Sequence, residues 1–66
     1  MNDTKNKIHV IKLSPTEHIR YWFDEQGQLH TAVWSYEECI VPDTDSIFGE
    51  LFKKVVKYIL EIEEHK

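Results

Sequence analysis

The chain has 66 residues, a formal net charge of −4 and a single cysteine. That length holds one domain at most, and a core this small rarely contributes more than about 3–5 kcal/mol, so either an idealised fold or a partner is required. A lone cysteine excludes an internal disulfide, the acidic balance disfavours phosphate backbones and anionic lipid, and no apolar run approaches the roughly 20 residues that span a bilayer. The lone thiol and the absence of an apolar N-terminal run lead us to expect a cytoplasmic location.

Residues 1–6 are polar and aperiodic, as in a frayed N-terminus. Lys7 to Leu13 is short and β-branched and predicts a first strand. Ser14-Pro15-Thr16-Glu17 then turns the chain, because Pro15 has no ladder donor and disfavours helical geometry at Ser14. His18 to Phe23 predicts the second strand.

Asp24 suits the start of a type I turn, and Gly27 suits a position where φ must be positive. The predicted connection is therefore a three-residue loop, Glu25-Gln26-Gly27, with a glycine bulge. Under that register Phe23 faces Leu29, Tyr21 faces Thr31 and Ile19 faces Val33. On the opposite side Trp22 meets His30, Arg20 meets Ala32 and His18 meets Trp34. A two-residue Gln26-Gly27 turn would reverse the parity and move a whole strand to the other face. The bulged turn is preferred because it gives one consistently apolar face.

Ser35 to Val41 is ambiguous, with Glu37-Glu38 interrupting the apolar run before Cys39-Ile40-Val41. Pro42-Asp43-Thr44-Asp45-Ser46 signals a helix start, and Asp43 and Asp45 suit the positive end of a helix dipole. A helix is expected over 45–64. Phe48, Phe52, Val55, Ile59 and Ile62 recur on one stripe, flanked by Ile47, Leu51 and Tyr58 on one side and by Val56 and Leu60 on the other. This arc is wider than one packing surface needs, so one flank could bury against a second copy. Glu50–Lys54 and Lys57–Glu61 are spaced for helix-surface ion pairs. The predicted core joins Ile19, Tyr21, Phe23, Leu29 and Val33 to Phe48, Leu51, Phe52, Val55 and Ile59.

The fold class is therefore α+β: a three-stranded antiparallel meander, with a possible short fourth strand, packed on one C-terminal helix in β-β-β-α order. One helix covers one sheet face, which leaves the other open. That second face gathers Arg20, Trp22 and Trp34, with His18, His30 and Tyr36 around them, and Trp, Tyr and Arg carry much of the binding energy at interfaces. These six residues are the candidate face for binding a protein or for self-association, with Trp22 and Trp34 expected at a homodimer interface, and the alternative is a purely structural role for the aromatics.

No catalytic, metal or cofactor motif stands out. His18 and His30 lie about four residues apart along neighbouring strands, roughly 13 Å, too far for a shared ion. Nothing places a base beside Cys39, and adjacent Glu37 and Glu38 point apart in an extended chain. No enzyme activity and no cofactor are expected. The expected function is that of a small protein-binding regulator or inhibitor, of the kind a phage or mobile element carries, acting as a homodimer. The rival is a single-strand nucleic-acid binder that stacks bases on Trp22 and Trp34.

Overall fold

The computed structural model describes residues 7–65; the N-terminal stretch expected to fray lies outside them. Four strands, β1 (His9–Lys12), β2 (Glu17–Phe23), β3 (Leu29–Ser35) and β4 (Glu38–Val41), precede one helix, α1 (Phe48–Glu64). The strands form an antiparallel meander in the order β1-β2-β3-β4. The order is thus β-β-β-β-α, and the fourth strand does form.

The β2–β3 register is the one the bulged turn predicts. Phe23 pairs with Leu29, Tyr21 with Thr31 and Ile19 with Val33, while Trp22 pairs with His30, Arg20 with Ala32 and His18 with Trp34. Local chemistry enforces it. The Asp24 N–H donates to the Gln28 carbonyl at 3.1 Å and the Gly27 N–H donates to the Asp24 carbonyl at 3.0 Å. One Asp24 carboxylate oxygen accepts from the Gln26 and Gln28 amides. Gly27 has φ +78°, which closes the loop where a Cβ would be strained.

The first turn is held by side chains. Ser14 Oγ accepts from the Thr16 and Glu17 amides, and the Leu13 and Ser14 amides donate to the Glu17 carbonyl. Tyr36 and Glu37 join β3 to β4, with Tyr36 at φ 56° and its N–H donating to the Thr16 carbonyl at 2.9 Å. Beyond this turn Trp34 pairs with Cys39 and Val33 with Val41, so Ile40 is the extra residue of a β-bulge. The bulge returns Val41 to the core side.

Ile19, Leu29, Val33 and Val56 form the buried cluster, with Ile11, Tyr21, Phe23, Val41, Phe52, Val55 and Leu60 packed partly against it. This corrects the expected face of the helix. Phe48 and Leu51, assigned to the core, are exposed, and Ile59 is half-buried outside the cluster. Val56 and Leu60, expected at the margin, point inward, and Val56 is fully buried. The seam that meets the sheet is Gly49, Phe52, Val56 and Leu60. Gly49 lets the first turn approach the preceding loop, where a Cβ would lie 3.4 Å from the Asp43 carbonyl.

The helix begins at Phe48, later than expected. Asp45 supplies the capping oxygen, accepting from the Ile47, Phe48 and Gly49 amides. Those donors hold its carboxyl below the usual carboxylate range, the Phe48 amide first among them. The expected Glu50–Lys54 and Lys57–Glu61 pairs do not form among the described residues; Glu50 instead meets Lys53 at 3.6 Å. No helix among those residues is long and apolar enough to cross a membrane.

Candidate binding face of the sheet

Alternation along β2 and β3 sends His18, Arg20, Trp22, His30, Ala32 and Trp34 to the side opposite the core, and the pairing of β1 adds Val10 and Lys12. The single helix packs on the other side. The open face nevertheless has its own organisation, in two clusters.

In the first, the Arg20 guanidinium lies over the Trp34 ring, its carbon 3.9 Å from the centroid, in cation–π geometry. Arg20 Nε donates to His18 Nε2 at 2.9 Å. Acceptance at Nε2 places the His18 ring proton on Nδ1. Arg20, two residues along the same strand, thus fixes the tautomer of His18, and Trp34 across the strand pair fixes the direction of Arg20.

In the second, Trp22 stacks on His30 with centroids 5.8 Å apart and planes 12° from parallel. His30 is held at both nitrogens. Nε2 lies 2.8 Å from Asp24 Oδ2 and Nδ1 lies 2.8 Å from Asp43 Oδ2. Two carboxylates bonding one imidazole require both nitrogens to donate, which is the protonated form. The hydrogen bond His30 donates to Asp24, then that to Asp43, raises its pKa above 6.5 against the opposing effect of burial. The same His30 contact, followed by the Gln28 amide, holds the Asp24 carboxyl below its usual 3.8.

Asp43 has a further partner. Its Oδ1 accepts the Thr31 N–H at 3.1 Å, just beyond the end of β4, where a fourth-strand carbonyl would otherwise be needed. Thr31 is buried, and its hydroxyl reaches the Gly49 carbonyl at 3.5 Å. Sequence reasoning assigned Asp43 to the helix dipole and missed this role. It also missed that Asp24, which starts the turn, reaches the face two strand positions away.

The structure therefore brings together five of the six candidate residues, as Arg20–Trp34–His18 and Trp22–His30. These rings are half-buried by one another rather than bare, and Ala32 between them is buried. Tyr36 is not on the face; it sits exposed in the β3–β4 turn, at the end of the sheet nearest Thr16. Cys39, opposite Trp34, is exposed with a free thiol. Among the described residues no group of three or more His, Cys, Asp or Glu side chains is placed to hold a metal ion. Comparison of the chain with protein-family models, with curated proteins and with solved structures finds no match.

Proposed function

We propose that this protein is a non-enzymatic binding module, a regulator or inhibitor, that docks a protein partner on the open face of its sheet. One observation carries the reading: Arg20, Trp22 and Trp34 are held in stacks on the side of the sheet opposite the helix, which no other strand or helix among the described residues covers. Rigid aromatic and arginine side chains lose little conformational freedom on docking, and residues of these types are enriched among binding hot spots. Lys12 and Arg20 add positive charge beside the rings, so a partner surface of apolar groups edged by carboxylates fits the face. The free, exposed Cys39 on the same face suits a reducing compartment, in keeping with a cytoplasmic protein.

The test is affinity capture from host lysate with wild type, with a Trp22→Ala/Trp34→Ala variant and with Leu51→Glu, which alters an exposed helix position instead. Cooperative melts establish that each variant is folded. The reading requires a partner retained by wild type and Leu51→Glu and lost from the tryptophan variant, with Trp emission shifting on addition of that partner. Retention by the folded tryptophan variant would refute it. A salt-dependent emission shift on adding an oligonucleotide would favour nucleic-acid stacking, against which stand the net charge and the single arginine.

A further inference from the structure

A second surface, independent of the sheet face, is carried by α1. Phe48, Leu51, Val55, Tyr58 and Ile62 follow one another at spacings of 3, 4, 3 and 4, the a/d pattern of a coiled-coil seam. The fold does not use this seam. Phe48, Leu51, Tyr58 and Ile62 are 53%, 51%, 66% and 44% exposed, while only Val55 is half-covered by the core. At 3.6 residues per turn, Leu51 lies about 140° round the helix from the fully buried Val56, so the seam faces away from the sheet. We infer that this seam pairs with its own copy, helix against helix and antiparallel, to form a homodimer.

Three features of the helix select that occupant. The first is charge. Flanking the seam at equivalent heptad positions are Lys54 and Glu61, neither of them engaged in an ion pair among the described residues. Antiparallel pairing centred between Val55 and Tyr58 sets Lys54 of each copy beside Glu61 of the other, twice over. Parallel pairing sets such positions against the other flank of the seam, where Lys54 would meet Ile59 of the second copy and find no carboxylate. The second feature is shape. Tyr58, Glu61, Ile62 and His65 line a shallow depression, and residues at i, i+3, i+4 and i+7 are the four that make a hole for a knob. In the same antiparallel register the residue facing that depression is Leu51 of the second copy, with Phe48 beside it opposite His65.

The third is area. Taking about 200 Å² for each large apolar side chain, the exposed seam residues and the adjacent Ile47 present on the order of 600 Å² per copy. Fully covered, a pair would bury about 1,200 Å², the lower end of stable specific interfaces, and the patch is at the upper end of what monomers expose, where such patches are often functional. Because the seam lies on the far side of α1, dimerisation leaves both sheet faces open. It does not rest on the function proposed above.

The test is sedimentation velocity on the full chain from 1 to 200 μM, with Leu51→Glu, Lys54→Glu, Glu61→Lys, the double exchange Lys54→Glu/Glu61→Lys, and the Trp22→Ala/Trp34→Ala variant. All substituted helix positions are exposed or half-buried, and circular dichroism checks the fold. Wild type and the tryptophan variant should dimerise, and Leu51→Glu should weaken the dimer by ~100-fold or more, since it places a charge within the apolar seam, opposite Ile62 of the second copy. Each single charge reversal should weaken it by roughly tenfold, with the double exchange returning to within about threefold of wild type. A monomeric wild type at 200 μM overturns the inference, as does a dimer lost with the tryptophans but not with Leu51→Glu. Charge reversals that add rather than compensate overturn the antiparallel arrangement.

Discussion

Asp43 closes on His30 across thirteen residues of chain, its Oδ2 2.8 Å from the imidazole Nδ1, while its other oxygen takes the amide of Thr31. One carboxylate thereby ties the loop before α1 to the first residues of β3 and holds the ring on which Trp22 stacks. The helix start and the candidate binding face share this anchor. Asp43→Ala strands the N–H of buried Thr31 and should cost about 1–3 kcal/mol in urea denaturation. Asp43→Asn keeps an acceptor for that amide and should cost less. Equal losses would mean that the charge, not the amide bond, is what matters.

The His30 clamp gives stability a defined pH dependence. Asp24 and Asp43 raise the folded pKa of His30 above 6.5, so its contribution is complete below the unfolded value and is lost as pH rises through the folded value. Asp24 behaves oppositely: lowered below 3.8, it contributes above that value and loses the contribution as pH falls through its folded value. The melting temperature should be highest between these limits and decline on the alkaline side. His30→Gln should remove most of that alkaline decline. An NMR titration placing His30 below 6.5 would contradict the clamp.

At Gly27 the backbone is left-handed, with φ +78°, and nothing lies within 4 Å of where a Cβ would stand. The cost of substitution is therefore conformational. Gly27→Val should destabilise by more than ~1 kcal/mol and Gly27→Asn by distinctly less, read from chemical denaturation.

Tyr36 presents the converse case, a bulky residue at φ 56° whose side chain is largely exposed. Positive φ at the first central residue alone matches a type II′ turn, which favours glycine there. Tyr36→Gly should raise stability by up to ~1 kcal/mol, and Tyr36→Val should lower it. A destabilised glycine variant would show that the phenol ring contributes more than the turn strain costs.

The orientation of the helix is tested by a pair of truncations. Val56→Ala, at a fully buried site, should cost about 1.5–3 kcal/mol. Leu51→Ala, at an exposed site, should stay within about 0.5 kcal/mol at concentrations where the protein is monomeric. Reversed magnitudes would turn α1 over.

The β2–β3 register was legible in the residues because its causes are local. Asp24 can cap only its own turn, Gly27 alone tolerates the bulge, and a period of two then assigns every side chain from Ile19 to Val33 to a face. The same reasoning left the fourth strand open, since Ile40 disrupts alternation and only pairing with Val33 and Trp34 shows it to be a bulge. The helix was evident as a helix, but its phase was not. An apolar arc that runs from Ile47 round to Leu60 offers several faces of similar hydrophobicity, and periodicity cannot choose among them. Packing chose the seam of Gly49 and Val56, where the missing side chain of Gly49 admits the loop before α1 and Val56 fills the core, and it left the longer Phe48, Leu51 and Tyr58 outside. Likewise Asp24 and Asp43 each had a sufficient local explanation, one as a turn residue and one beside a helix start. Only the folding of two loops onto β3 brought their carboxylates to the two nitrogens of His30. Contacts that close within a few residues are written in the sequence, whereas the rotation of a broad amphipathic helix and the meeting of distant charges depend on how the elements pack.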